Sequence, residues 1–248
     1  MLKKIIRVLR TRGVAGLISA AYSRLRYLIP MRAVSFRNFE SILCGKHGIE
    51  IGGHSQVFTA RGLFPVYPIA GHLDNCNFGG TTVWEGDIKE GETFQFDRNK
   101  PAGRQYIVEA TAMECIPSAS YDFVLSSHVL EHTANPILAL TEWVRLLKDQ
   151  GLLVLLLPHK DGTFDYRRPV TTMQHLIADF NAGMAEDDLT HMPEILALHD
   201  LERDPEAGAN LASQLAAFRP RLVVNQVRSR PDAEMGHAVV AAWRKYFG

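Results

Sequence analysis

Cysteine is scarce and scattered in this chain of 248 residues: Cys44, Cys76 and Cys115 stand far apart and form no CxxC pair. An odd, dispersed set argues against a disulfide framework or a cysteine-based zinc site. It suits a reducing compartment, with all three expected as small buried hydrophobes. Long apolar runs are also missing. The weakly apolar stretch GVAGLISAAY (13–22) falls short of the ~20 residues that span a bilayer and follows a charge-studded segment, so a secretory leader is disfavoured and a cytoplasmic location is expected. Internal repeats, low-complexity tracts, G-x-G-x-x-G and H-E-x-x-H are all absent. Net charge is zero, which removes any bulk electrostatic argument for a nucleic-acid partner. What remains, 46% hydrophobic and 22% charged residues, has the composition of a soluble globular protein, and the length suits one large α/β domain.

One absence has a location. No acid precedes Glu40, while residues 1–39 carry Lys3, Lys4, Arg7, Arg10, Arg12, Arg24, Arg26, Arg32 and Arg37. The rest of the chain then holds 18 basic against 27 acidic residues, so a basic arm is joined to an acidic body. In the arm, Leu2, Ile5, Ile6, Leu9, Val14, Leu17 and Ile18 alternate with arginines at roughly helical spacing. Such a helix can lie on the anionic inner face of a membrane, gaining ~1 kcal/mol per nearby cation. It can equally pack on the domain with its charges solvated. The boundaries read as a basic amphipathic arm over 1–34 and a domain over 35–248.

Along that domain the pattern alternates between strand and helix. FRNFESILCG (36–45) predicts a helix closed by Gly45, and HGIEIGG a short strand with a glycine stop. RGLFPVYPIAGHLD (61–74) is proline-broken and approaches Asp74, and residues 75–104 read as a long excursion rich in Gly, Asn and Thr. RQYIVEA (104–110) and SYDFVLSSH (120–128) are two further strands. NPILALTEWVRLLKDQG (135–151) is the clearest helix, with Asn135 as cap, Pro136 in the first turn, Gly151 as stop and Leu140, Trp143, Val144 and Leu147 as its buried stripe. LLVLLLP (152–158) suits a strand buried on both faces. The fold class is therefore α/β, a doubly wound and mostly parallel sheet.

In such sheets ligands bind beyond the carboxyl ends of the strands. The residues there are Glu50 with Gly52 and Gly53, Asp74, Glu109 with Ala110, then Ser126, Ser127, His128, Glu131 and His132, and finally Pro158 and His159. Asp74 follows Glu50 at about the ~20-residue spacing at which an acid meets ribose hydroxyls in dinucleotide folds. A carboxylate accepts two hydroxyl hydrogens at once, which accounts for the residue type.

The stretch YDFVLSSHVLEHTANPILALTEWVRLLKDQGLLVLLLP (121–158) resembles the C-terminal half of class I S-adenosylmethionine-dependent methyltransferase domains, of the type 11 kind. IEIGGHSQVF, DNCNFGGTTVWEGD and PHKDGTFDYRRPVTTMQHLIADF are similar to a bacterial subgroup linked to surface-polysaccharide synthesis. The resemblance implies a Rossmann-like domain with S-adenosylmethionine as cofactor. It places Glu50, Gly52 and Gly53 at the methionine part, Asp74 at the ribose, Glu109 and Ala110 along the adenine, and Ser126 and His128 beside the sulfonium and the acceptor. The glycine loop departs from the family pattern at His54-Ser55, and the usual closing hairpin is ill-defined, with RLVVNQV (221–227) readable as one strand and HAVVAAW (237–243) as either a second strand or a helix.

Methyl transfer to a sugar hydroxyl needs alignment and a base, and histidine is the default base near neutral pH. His128, His132 and His159 are the candidates, His159 the best placed of them, whereas Glu131-His132 also reads as a helix start. Arg167 and Arg168 suit a phosphate on a glycan or small-molecule acceptor, or a loop-ordering salt bridge. Asp188, His191, His199 and Asp200 lack tight ligand spacing and read as part of a solvated acidic helix, so no metal site is expected. Phe78 and Trp84 stack on a sugar or simply pack. Two other readings stay open beside O-methylation of a glycan precursor. A nicotinamide dehydrogenase is disfavoured by the missing glycine fingerprint, and a pseudoenzyme acting as a membrane-associated binding subunit is motivated by the altered glycine loop.

Overall fold

The computed structural model describes residues 32–82, 86–186, 188 and 190–200. Most of the basic arm, Trp84 and both strand-like pieces of the C-terminal region lie outside the described residues. These divide into two compact units, one made of residues up to Gly45 with Ser55–Gly71, the other of Lys46–His54 with the chain from His72 onward.

The smaller unit is built around helix α1 (Phe36–Leu43). Phe36 and Leu43 lie two turns apart and are both buried, with the Phe64 ring edge-on to Phe36 at 4.9 Å. Phe58, Val66, Tyr67 and Ala70 complete this core. Gly45 ends the helix as expected, at φ 72°, where its N–H reaches the Ile69 carbonyl at 2.8 Å.

The larger unit holds a six-stranded sheet in the order β5-β6-β2-β1-β7-β8. Its strands are β1 (His47–Ile51), β2 (His72–Asn77), β5 (Gly91–Phe94), β6 (Gly103–Ile107), β7 (Tyr121–Ser127) and β8 (Leu147–Leu156). Every neighbouring pair is parallel except β5 with β6, so the fold is the mostly parallel α/β sheet that the alternating pattern predicts. The excursion after β2 supplies a small antiparallel pair, β3 (Thr81–Thr82) with β4 (Gly86–Asp87), and then the edge strand β5.

Helix α2 (Pro136–Leu146) begins as its sequence dictates: Asn135 Oδ1 accepts the Leu138 N–H at 3.1 Å and Pro136 occupies the first turn. It buries Ala139, Trp143 and Leu146 against Ile49, Ile51, Cys76 and Val124 of the sheet. The expected stripe needs correcting at Val144, which is 57% exposed. Its end needs correcting too, because the chain passes from Leu146 directly into β8 and Gly151 lies within that strand. Residues between Leu147 and Leu152 bulge out of register with β7, and Gln150 takes φ 62° there. β8 is half-buried rather than enclosed on both faces, since it is the last strand of the described sheet. Of the cysteines only Cys76 is buried, while Cys44 and Cys115 are exposed. No helix among the described residues is long and apolar enough to cross a membrane.

Candidate functional site

The carboxyl edge of the parallel strands is organised around Gly53. Strand β1 delivers Glu50, fully buried, and the chain then turns through Gly52 at φ 77°, whose N–H is held by the Cys76 carbonyl at 2.8 Å. The next residue has no room for a side chain. A Cβ on Gly53 would lie 2.5 Å from the Glu50 carboxylate and 2.8 Å from Asn75 Oδ1. Asn75 Oδ1 accepts the Gly53 N–H at 3.0 Å, and the Asn75 and Asn77 amides both donate to the Gly53 carbonyl at 3.1 Å. Gln105 joins from β6, donating to Asn77 Oδ1 at 3.0 Å and accepting from Asn75 at 2.8 Å.

The parallel register explains this gathering: Glu50 pairs with Asn75, and Asn75 with Gln105, so their side chains leave the sheet on one face. Sequence reasoning passed over these amides. Their signal was the D-N-C-N alternation in β2, which puts two amides two residues apart in an otherwise buried strand.

Asp74 does not end β2. The strand continues for three more residues to Asn77, and Asp74 is in register with Ile49, ahead of Glu50. Its carboxylate accepts from His47 Nε2 and His72 Nε2 at 3.1 Å each, from the Arg104 N–H at 2.8 Å and from the Tyr121 hydroxyl at 2.9 Å. Burial pushes its pKa up, but the hydrogen bonds from His47, Arg104 and Tyr121 outweigh that and hold it below the ordinary carboxylate value. The ribose role expected of Asp74 therefore conflicts with its place in the sheet.

Glu109 and Ala110 follow β6 and are half-buried, and the Ala110 carbonyl accepts the Trp143 indole N–H at 3.0 Å. Ser126, near the end of β7, is fully buried and its Oγ has no hydrogen-bond partner among the described residues. The register pairs it with Ile51, so it leaves the sheet on the face opposite Glu50.

The three histidines differ sharply. His128 follows β7 at φ 58° with its side chain 62% exposed, and His159 is 84% exposed beside an equally open Asp161. His132, in the short 3-10 turn Leu130–His132, is the least exposed of the three, with its side chain 28% exposed. The Glu131 carboxylate lies 4.0 Å from His128 and 3.9 Å from His132. Burial pushes His132 down to about 4, with Asp165 opposing and His128 adding to the shift. Near neutrality His132 is therefore uncharged with a free lone pair, but it is a weak proton acceptor.

The sign for stability follows. Between pH 6.5 and about 4 the unfolded chain binds a proton at His132 that the folded chain refuses, so folded stability declines as pH falls across that window. In His132→Gln, denaturant melts at stepped pH are expected to show a shallower decline; an unchanged slope would refute the assignment.

Arg167 and Arg168 are already engaged. Arg167 meets Asp200 at 3.2 Å, and Arg168 meets Asp165 at 3.1 Å and Glu194 at 3.3 Å. His199 lies 3.4 Å from Asp165, and the Asp200 N–H donates to the Phe164 carbonyl at 2.9 Å. The loop-ordering alternative is thus realised in the structure. The expected solvated acidic helix is instead a short one, α4 (Met192–Leu198; α3 being Met173–Asn181), followed by buried His199 and Asp200 that tie it to this loop. Phe78, after β2, is half-buried.

A family model described as "Methyltransferase domain" matches residues 72–155, from the first residue of β2 almost to the end of β8. The match starts beyond β1 and the glycine turn. No curated protein matches the chain significantly.

Proposed function

We propose that this chain is an S-adenosylmethionine-dependent methyltransferase acting on a hydroxyl of a sugar or glycolipid precursor of a bacterial surface polysaccharide. The observation that carries the cofactor assignment is the turn at Gly53, held between a buried carboxylate and the side-chain amides of Asn75 and Asn77 at the carboxyl edge of a parallel sheet. The methyltransferase-domain match over the following strands supports the same reading. The donor set fits the group: Glu50 supplies negative charge for an ammonium, and the peptide groups of Gly52 and Gly53 permit close approach. Asn77, at the true end of β2, occupies the position that the resemblance gives to Asp74. An amide there both donates to and accepts from a hydroxyl without adding charge. Glu109 and Ala110 border the next strand end, with Ser126 near the end of β7 and His128 just after it.

When bound, the cofactor supplies a methyl carbon already activated by a positively charged sulfur. The chain's own task is then to align the acceptor oxygen and remove its proton. His128 and His159 are accessible for that role, and His132, neutral but weakly basic, is better suited to orient a hydroxyl than to deprotonate it. The weak basicity of His132 also favours a second reading, a non-catalytic binding subunit with the same cofactor site. On either reading, residues 1–30 are the part that would touch an anionic membrane face.

Calorimetric titration with S-adenosylmethionine and with its demethylated product tests the cofactor. Binding is expected in the wild type and a loss of more than tenfold in Gly53→Ala, because the added methyl collides with Glu50 and Asn75. Absence of heat for both ligands would sink the assignment. Binding without methyl transfer to any glycan extract would select the non-catalytic reading.

A further inference from the structure

We propose that His175, Asp179 and His191 form a binding site for a divalent transition-metal cation, zinc being the best match to the donors, independently of the methyl-transfer reading. Asp179 stands one helical turn after His175 on α3, so the two side chains share a face. His191 arrives from the residue that precedes α4. The two imidazole Nε2 atoms lie 3.3 Å and 3.5 Å from the same oxygen, Asp179 Oδ2. Zinc bonds of about 2.0–2.1 Å in a tetrahedron place neighbouring donors ~3.3–3.4 Å apart. The separations here match that edge, and all three donor atoms lie within 4.8 Å of one another.

The hydrogen bonding points the same way. Asp179 is 8% exposed, and neither imidazole contact to it has hydrogen-bond geometry; His191 Nε2 is a buried nitrogen with no partner among the described residues. A buried carboxylate facing two ring nitrogens that are not hydrogen-bonded to it is an arrangement that a bound cation would satisfy. His47, His72 and Asp74 also bring together the right atom types, but there four genuine hydrogen bonds fill the carboxylate, so that group needs no ion. At His175 the side chain is 48% exposed, which leaves water access to a fourth position.

A cation here would join α3 to the start of α4. The far end of α4 leads to His199 and Asp200, which with Glu194 hold Asp165, Arg167 and Arg168. Metal binding would therefore brace the segment that orders the loop after β8.

The test uses the untagged full chain stripped with chelator, titrated with zinc by calorimetry and with cobalt by visible absorption. One equivalent is expected to bind, with the intense bands of tetrahedral cobalt. Affinity should fall more than tenfold in His175→Gln and His191→Gln and stay unchanged in His72→Gln, with folding of each variant checked by circular dichroism. Chelator should also lower the melting temperature of the wild type but not of His191→Gln. Failure of the wild type to bind zinc saturably, retention of binding in His191→Gln, or its loss in His72→Gln alone would overturn the proposal.

Discussion

Replacing Trp143 with alanine is expected to destabilise the folded chain by about 3–5 kcal/mol, the range for deleting a fully buried large aromatic. Among the described residues Trp143 is the largest of the fully buried side chains, and it belongs to the cluster that includes Ile49, Ile51, Val124, Ala139 and Leu146. Two losses combine in the variant. The cavity under α2 removes dispersion contacts that the rigid sheet cannot restore by relaxing. The Ala110 carbonyl also loses the indole N–H that it accepts at 3.0 Å, and this carbonyl belongs to the loop where the adenine of the proposed cofactor would lie. The next residue is the control. Val144 is 57% exposed, and Val144→Ala should stay within about 0.5 kcal/mol of wild type. Urea unfolding reads both, as a large fall in the midpoint for Trp143→Ala with little change in slope. Similar midpoints for the two variants would contradict the placement of α2.

The second large effect is expected at Asp74. Asp74→Ala removes the common acceptor of four donors and should cost roughly 3 kcal/mol, since the Tyr121 hydroxyl and the Arg104 N–H each face a desolvation penalty of ~1–3 kcal/mol. His47 and His72 contribute less, because their side chains, 39% and 36% exposed, can turn to water. The pH dependence identifies the cause. A carboxylate whose folded pKa is depressed contributes stability that is fully present above its unfolded value of 3.8. That contribution is lost as pH falls through the lower folded value. The wild type should thus lose stability on acidification in a window that Asp74→Ala lacks. Cofactor affinity separates the two roles proposed for this acid: the folded fraction of Asp74→Asn should bind S-adenosylmethionine as the wild type does. A selective loss of binding at unchanged stability would restore the ribose role to Asp74.

The difficulty with Asp74 shows how far spacing alone can carry a site. Its distance from Glu50 matched a known interval, but that interval measures chain length, and a strand's end is decided by its pairing. β2 pairs with β1 from His72 and with β6 up to Asn77, which moves the edge three residues past the acid. The amides of Asn75, Asn77 and Gln105 were hidden for the same reason. Gln105 and Asn75 are 30 residues apart and meet only through the register of two parallel strands. Val144 was misplaced because a helical stripe read from apolar residues cannot say which of two adjacent faces meets the sheet. The structure uses Ala139, a small residue that gives little apolar signal but lets α2 approach closely.

Local chemistry was legible wherever it acts over a few residues. The sequence by itself determined the mostly parallel α/β sheet, the Asn135 cap with Pro136 behind it, the close of α1 at Gly45, and the turn after Glu50. Each of these depends on backbone preferences and on hydrogen bonds between near neighbours. Only the tertiary structure decided which polar groups meet. It committed Asp74 to four donors, engaged Arg167 and Arg168 with acids, set His132 beside Glu131, and brought His191 to His175 and Asp179. Those encounters depend on strand register and on how the segments after β8 pack, and neither is encoded in any short window of residues.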